Sequence, residues 1–152
     1  MINITFRIYL AGGRTWDETT PLPDHLFDGS QALEGVLRIA ENDVLSNEIE
    51  DELPALIRNL CFSVSRDLQQ QDHAVYHFHS YFGQIDFSKQ EDKIIVTGTG
   101  VNTAAYDAKE LLTGLYNCGE RFVTLLQQLK DTNGEATALV SMLEAVRLPE
   151  QG

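Results

Sequence analysis

The chain has 152 residues and 17.0 kDa, enough to bury roughly 70% of its unfolded surface around one core with no disulfide or metal staple. Hydrophobic residues at 43% and charged residues at 22% are near globular averages, which argues against a disordered chain and against a fibrous repeat. The charge is unusual: 23 acids against 11 bases give a net charge of −12, which argues against nucleic acid and anionic membrane as partners, because both need Lys and Arg at the phosphates.

The opening MINITFRIYL alternates in polarity and has no basic leader, so it reads as a strand and not as a signal peptide. No apolar run approaches the roughly 18 residues of a membrane span, and the expected location is the cytoplasm. Ile4, Phe6, Ile8 and Leu10 share one side of that first strand. Residues 11–29 have glycines and prolines but no period and read as a long loop, with Trp16, His25 and Phe27 as the side chains that could pin it. Trp16 is read either as a core anchor or as a partner contact.

Leu33, Val36, Leu37, Ala40 and Val44 fall at helical spacing, which predicts a first helix from Ser30 to Val44, capped by Asp28 or Ser30. A second helix is predicted from Asp51 through Leu68, since Pro54 fits only a first helical turn. Leu60–Val64 also alternates, so a strand there is the competing reading. Cys61 and, later, Cys118 fall on apolar stretches and are expected to be reduced, buried thiols.

His73 to Gly100 is rich in Val, Ile, Tyr and Phe and predicts an antiparallel meander. Pairing Ser88 with Lys93 sets Phe87 against Ile94 and Ile85 against Val96, while a reversal at Phe82-Gly83 sets Phe78 against Phe87 and His79 against Asp86. That tight reversal would force Phe82 to positive φ, so a loop one residue longer, with a shifted register, is the competing reading. A long helix capped by Asn102 or Thr103 follows, with a bend expected near Asn117–Gly119 and an end at Asn133-Gly134. A last helix is predicted from Glu135 to Arg147. The sum is one α+β domain over residues 1–152, with an antiparallel sheet of about four strands, helices packed on one face, and the order β-α-α-β-β-β-α-α.

Chemistry-bearing patterns are sparse. His73, His77 and His79 alternate along one strand and, with Asp86, could form part of a metal site, but no ligand set with metal spacing accompanies them and no metal or other cofactor is assigned. There is no G-x-S-x-G, and Thr97-Gly98-Thr99-Gly100 lacks a P-loop lysine, so no catalytic residue is named. The residues expected to meet a partner are Glu41, Asp43, Glu48, Glu50, Asp51 and Glu52, six acids without a base in twelve residues, together with His77 and His79. The acidic stretch is read either as a solvated junction between two helices or as a patch that docks on a basic surface.

A small, acidic chain without a catalytic motif resembles, in overall style and without a shared motif, the immunity proteins that bacteria pair with secreted toxins. That resemblance implies a non-enzymatic inhibitor bound tightly to a basic toxin domain such as a nuclease. The alternative class is a small metal-dependent hydrolase or ligand-binding enzyme built on His73, His77 and His79.

Overall fold

The computed structural model describes residues 1–21, 33–129 and 134–147. Strands β1 (Ile2–Tyr9), β2 (Thr15–Asp17), β3 (Glu34–Glu41) and β4 (Val44–Glu52) form one antiparallel sheet in the order β2-β1-β3-β4. Strands β5 (His73–His77), β6 (Gln84–Gln90), β7 (Lys93–Gly98) and β8 (Ala104–Asp107) form a second, in the order β5-β6-β7-β8. Between the sheets in sequence runs a continuous helical segment, α1, which is α-helical over Leu53–Ala55, π-helical over Leu56–Val64 and α-helical again over Ser65–Gln70. Helices α2 (Ala108–Gln128) and α3 (Glu135–Glu144) follow β8.

The class is therefore α+β as expected, with two four-stranded sheets where one was predicted. Three neighbouring antiparallel strands running straight into a helix occur twice, as β1-β3-β4-α1, where β2 is inserted after β1, and as the meander β6-β7-β8-α2. Helix α1 touches β3 and β5, and α2 touches β1, β7 and β8, so each helix bridges both sheets. Ile4, Phe6, Leu37 and Ile49 of the first sheet and Tyr76, Ile85, Phe87 and Val96 of the second join Leu60, Phe62, Leu115 and Phe122 in one buried cluster. Among the described residues no helix is long and apolar enough to cross a membrane.

The predicted helix Ser30–Val44 is replaced, from Leu33 on, by β3 and the start of β4; its caps Asp28 and Ser30, like His25 and Phe27, lie outside the described residues. Strand β3 is central, and Val36, Leu37 and Ile39 are all buried, so both faces are apolar and a two-residue period is lost. The hairpin turns at Asn42 and Asp43, with φ of 50° and 68°, as a primed two-residue turn requires. Helix α1 agrees with the second predicted helix: Glu52 precedes it, Pro54 sits in its first turn, and Leu53, Leu56, Ile57, Leu60, Val64 and Leu68 are all buried.

In the meander, β6 pairs with β7 through Phe87↔Val96 and Gln90↔Lys93, two residues from the predicted register. β5 pairs with β6 through Ala74↔Phe87 and Tyr76↔Ile85, four residues from it, because the connection is the loop 78–83 and not a tight turn at Phe82. Both shifts are even, so the buried face is preserved. The residues predicted to cap the long helix belong to the β7–β8 connection, and Asp107 caps α2 by accepting from the Glu110 N–H at 3.0 Å. No break interrupts α2 at residues 117–119; Gly119 lets it approach α1, since a Cβ there would stand 2.7 Å from the Phe62 ring. Cys61 and Cys118 are buried and free, both on helices as predicted.

Candidate functional site

The acidic stretch proves to be a strand at the edge of the first sheet. The pleat sends Asn47, Ile49 and Asp51 inward and Glu48 and Glu50 outward. A free strand edge invites pairing with other chains, and here loops of the second sheet cover it.

At one position, Asn47 donates from Nδ2 to the Asn102 carbonyl at 3.0 Å and to the Tyr106 hydroxyl at 2.9 Å, and its Oδ1 accepts from the Asn102 N–H at 2.7 Å. Asn102 returns a bond from Nδ2 to the Ser46 carbonyl at 3.0 Å. Four residues along, Asp51 is 4% exposed and accepts from the Tyr76 hydroxyl at 2.6 Å, from the backbone N–H of His79 and Ser80 at 2.7 and 3.0 Å, and from that of Glu52 at 2.8 Å. Burial alone would raise the Asp51 carboxyl, but the Tyr76 hydroxyl, then the N–H groups of His79 and Glu52 and the bond from Ser80, outweigh it and hold it below its ordinary value. Burial, and then the bond to Asp51, push the Tyr76 phenol upward, so it remains a donor.

The grip on His79 and Ser80 shapes the whole loop 78–83. Phe78 N–H donates to the Gly83 carbonyl at 3.2 Å, the Tyr81 hydroxyl donates to the Glu50 carbonyl at 2.8 Å, and the rings of Phe78 and Tyr81 stack at 4.3 Å. Gly83, not Phe82, takes the positive φ. Phe82 stands fully in solvent at the tip. Tyr9, Val44, Leu45, Tyr81 and Phe82 make up five of the seven exposed large hydrophobic side chains among the described residues, all on or beside β4.

Of the predicted contact residues, Glu48, Glu50, Glu52 and His79 come together here. His79 Nε2 lies 3.2 Å from Glu52, Glu48 pairs with Arg38 at 2.9 Å, and the Glu50 carboxylate accepts from the Tyr9 hydroxyl at 2.6 Å. Partial burial, then the Glu50 carboxylate, push the Tyr9 phenol upward and keep it a neutral donor. Asp51 departs from expectation: it is buried and fastens the two sheets, so it offers no charge to a partner. Glu41 and Asp43 sit at the hairpin end, roughly 25 Å from Glu52 along the nine-residue strand.

The histidines separate. His77 is exposed opposite Gln84, His73 lies 3.6 Å from Asp86, and His79 is off the strand beside Glu52, so the predicted His79–Asp86 pairing is absent. The longer loop carries His79 past the end of β6, and Asp86 falls opposite Val75. Among the described residues, no group of three His, Cys, Asp or Glu side chains is placed to hold a metal ion.

Two clefts can be compared. One of about 380 Å³ is lined by Phe6, Trp16, Glu18 and Arg121, but its charges are matched, since Arg121 Nε lies 2.6 Å from Glu18. Trp16 is a core anchor there, 6% exposed, with Nε1 donating to the Pro21 carbonyl at 2.9 Å. The other cleft, of about 450 Å³, opens between β4 and the second sheet and is lined by Leu45, Asn47, Glu48, Glu50, Tyr81 and Asn102. Comparison with protein-family models, with curated proteins and with solved structures gives no match to this chain.

Proposed function

We propose that the protein is a cytoplasmic binding protein that neutralises a basic protein partner, in the manner of bacterial immunity proteins paired with secreted toxins, and that it acts by covering the partner's surface and not by catalysis. The observation that supports this reading is that the outward carboxylates Glu48 and Glu50 of one edge strand lie beside the loop that carries the exposed rings of Tyr81 and Phe82, joined to it by the Tyr81 bond to the Glu50 carbonyl. Stable interfaces combine a desolvated aromatic centre with a charged rim, and a chain of net charge −12 selects cationic partners and accelerates their approach.

The test uses the product of the adjacent reading frame, which this reading expects to be a basic protein, since an inhibitor and its target are commonly made together. The double variant Glu48→Lys, Glu50→Lys should slow association about tenfold or more at low salt, with the difference shrinking as salt screens it. Phe82→Ala should act on dissociation, with a loss of about 2 kcal/mol, as expected of an anchoring aromatic. Unchanged rates in both variants would overturn the reading.

A further inference from the structure

We propose that the cleft between β4 and Tyr81 is a seat for an arginine side chain of the partner, a proposal that rests on the reading of a basic protein partner given above. The side-chain donors that line this cleft are turned to the protein itself. Asn47 Nδ2 gives its two bonds to the Asn102 carbonyl and the Tyr106 hydroxyl, and Asn102 Nδ2 donates to the Ser46 carbonyl. Ser46 Oγ lies 3.1 Å from the Ile39 carbonyl and 2.6 Å from the Tyr106 hydroxyl, and the Tyr81 hydroxyl donates to the Glu50 carbonyl. What the side chains leave toward solvent is acceptor capacity: each carboxylate offers about four lone-pair sites, of which Glu48 gives one oxygen to Arg38 and Glu50 one to Tyr9.

The two carboxylates are not equivalent. Arg38 offsets the charge of Glu48, whereas the partner of Glu50 is a neutral phenol, so the charge at Glu50 is the one left for a ligand. The apolar side of the cleft is Leu45, 43% exposed, and the ring of Tyr81, 45% exposed. A ligand that fits must bring several donors, a positive charge and a flat apolar face. Guanidinium meets all three requirements, because it forks onto carboxylates and stacks on aromatic rings, while an ammonium is compact and strongly hydrated. The acids supply the donors' targets, and Tyr81 selects among cations.

The test is an amide-resolved NMR titration of the intact chain with N-acetyl-arginine amide, whose only charge is the guanidinium. Saturable shifts are expected at Leu45 to Glu50, Tyr81 and Asn102 in the millimolar range, with N-acetyl-lysine amide weaker and N-acetyl-citrulline amide, of the same shape without charge, silent. Glu50→Gln should weaken binding about threefold, the scale of an exposed ion pair. Tyr81→Leu should remove the preference for arginine over lysine. Shifts scattered over the acidic surface, an equal response to citrulline, or full affinity in Glu50→Gln would overturn the seat. If that happens while Lys at 48 and 50 still slows association with the partner, the seat fails and the wider interface stands. Saturable binding of arginine here, with partner association untouched by the reversals, would leave a guanidinium site but overturn its assignment to the partner, together with the partner reading.

Discussion

Replacing Asp51 by alanine should destabilise the fold by about 4 kcal/mol, with urea unfolding as the measurement. The change leaves the buried Tyr76 hydroxyl without its acceptor, at about 1–3 kcal/mol, and removes charge-assisted bonds to the His79 and Ser80 N–H groups, worth about 1.5–3 kcal/mol each before water replaces part of them. Asp51→Asn should lie between, because the amide can accept from two of these donors but turns its own N–H₂ toward the others. The pH dependence carries a definite sign. The folded carboxyl lies below its ordinary 3.8, so its stabilising share is present above that value and is lost as pH falls through the folded pKa. The gap between the natural chain and Asp51→Ala should therefore stay constant near neutrality and narrow below about pH 4. A gap that does not change down to pH 2 would show that folding leaves the Asp51 carboxyl unshifted, and a gap that widens would show that it enters the fold protonated.

Gly35→Ala should be more damaging still, at about 4 kcal/mol or beyond, and is expected to give little folded protein. Gly35 lies on β3 opposite Ile8, and a Cβ there would stand 2.1 Å from the Arg7 carbonyl and 2.7 Å from Leu53 Cδ1. The first obstacle is backbone within a hydrogen-bonded ladder, which can yield only by breaking strand pairing, and overpacking against less rigid obstacles already costs about 1–3 kcal/mol. Gly114→Ala is the control. Its Cβ would meet only the end of the Ile4 side chain at 3.0 Å, and alanine favours a helix over glycine by about 1 kcal/mol, so the net change should be close to zero. Similar losses in both variants, read by thermal unfolding, would contradict this account.

Elements with one buried side were legible from the sequence. Strand β1 alternates, and α1 and α2 carry apolar stripes, so their nature was given by period alone. Strand β3 shows no two-residue period because it is apolar on both faces, and β4 shows none because two of its inward positions are Asn47 and Asp51, polar residues that erase the alternation. The Asn42-Asp43 pair was the available signal, since two residues tolerant of positive φ between strand formers mark a hairpin. Glu48, Glu50 and His79 were legible as surface groups because charge is visible in composition. The inward role of Asp51 and the exposure of Phe82 were not, because both depend on how the second sheet meets the first. The sequence places Phe82 at a reversal, and how far its ring stands out depends on the length of the loop that carries it.

The two fastenings on β4 act together as a constraint on rigid-body freedom. Asn47 and Asp51 are four residues apart, about 13 Å along an extended strand, and they hold Tyr106 on β8 and Tyr76 on β5, the outermost strands of a four-strand sheet and so about 14 Å apart. Strand β4 therefore lies across the second sheet like a bar across four slats, pinned at each outer slat. The shared core and the two bridging helices already hold the sheets together, and two fastenings at this separation resist rotation of β4 against the second sheet where one would not. The backbone of the loop that carries Phe82 is then held beside β4 before any partner arrives, and the backbone share of the ordering cost that association would otherwise carry at this surface has already been met in folding.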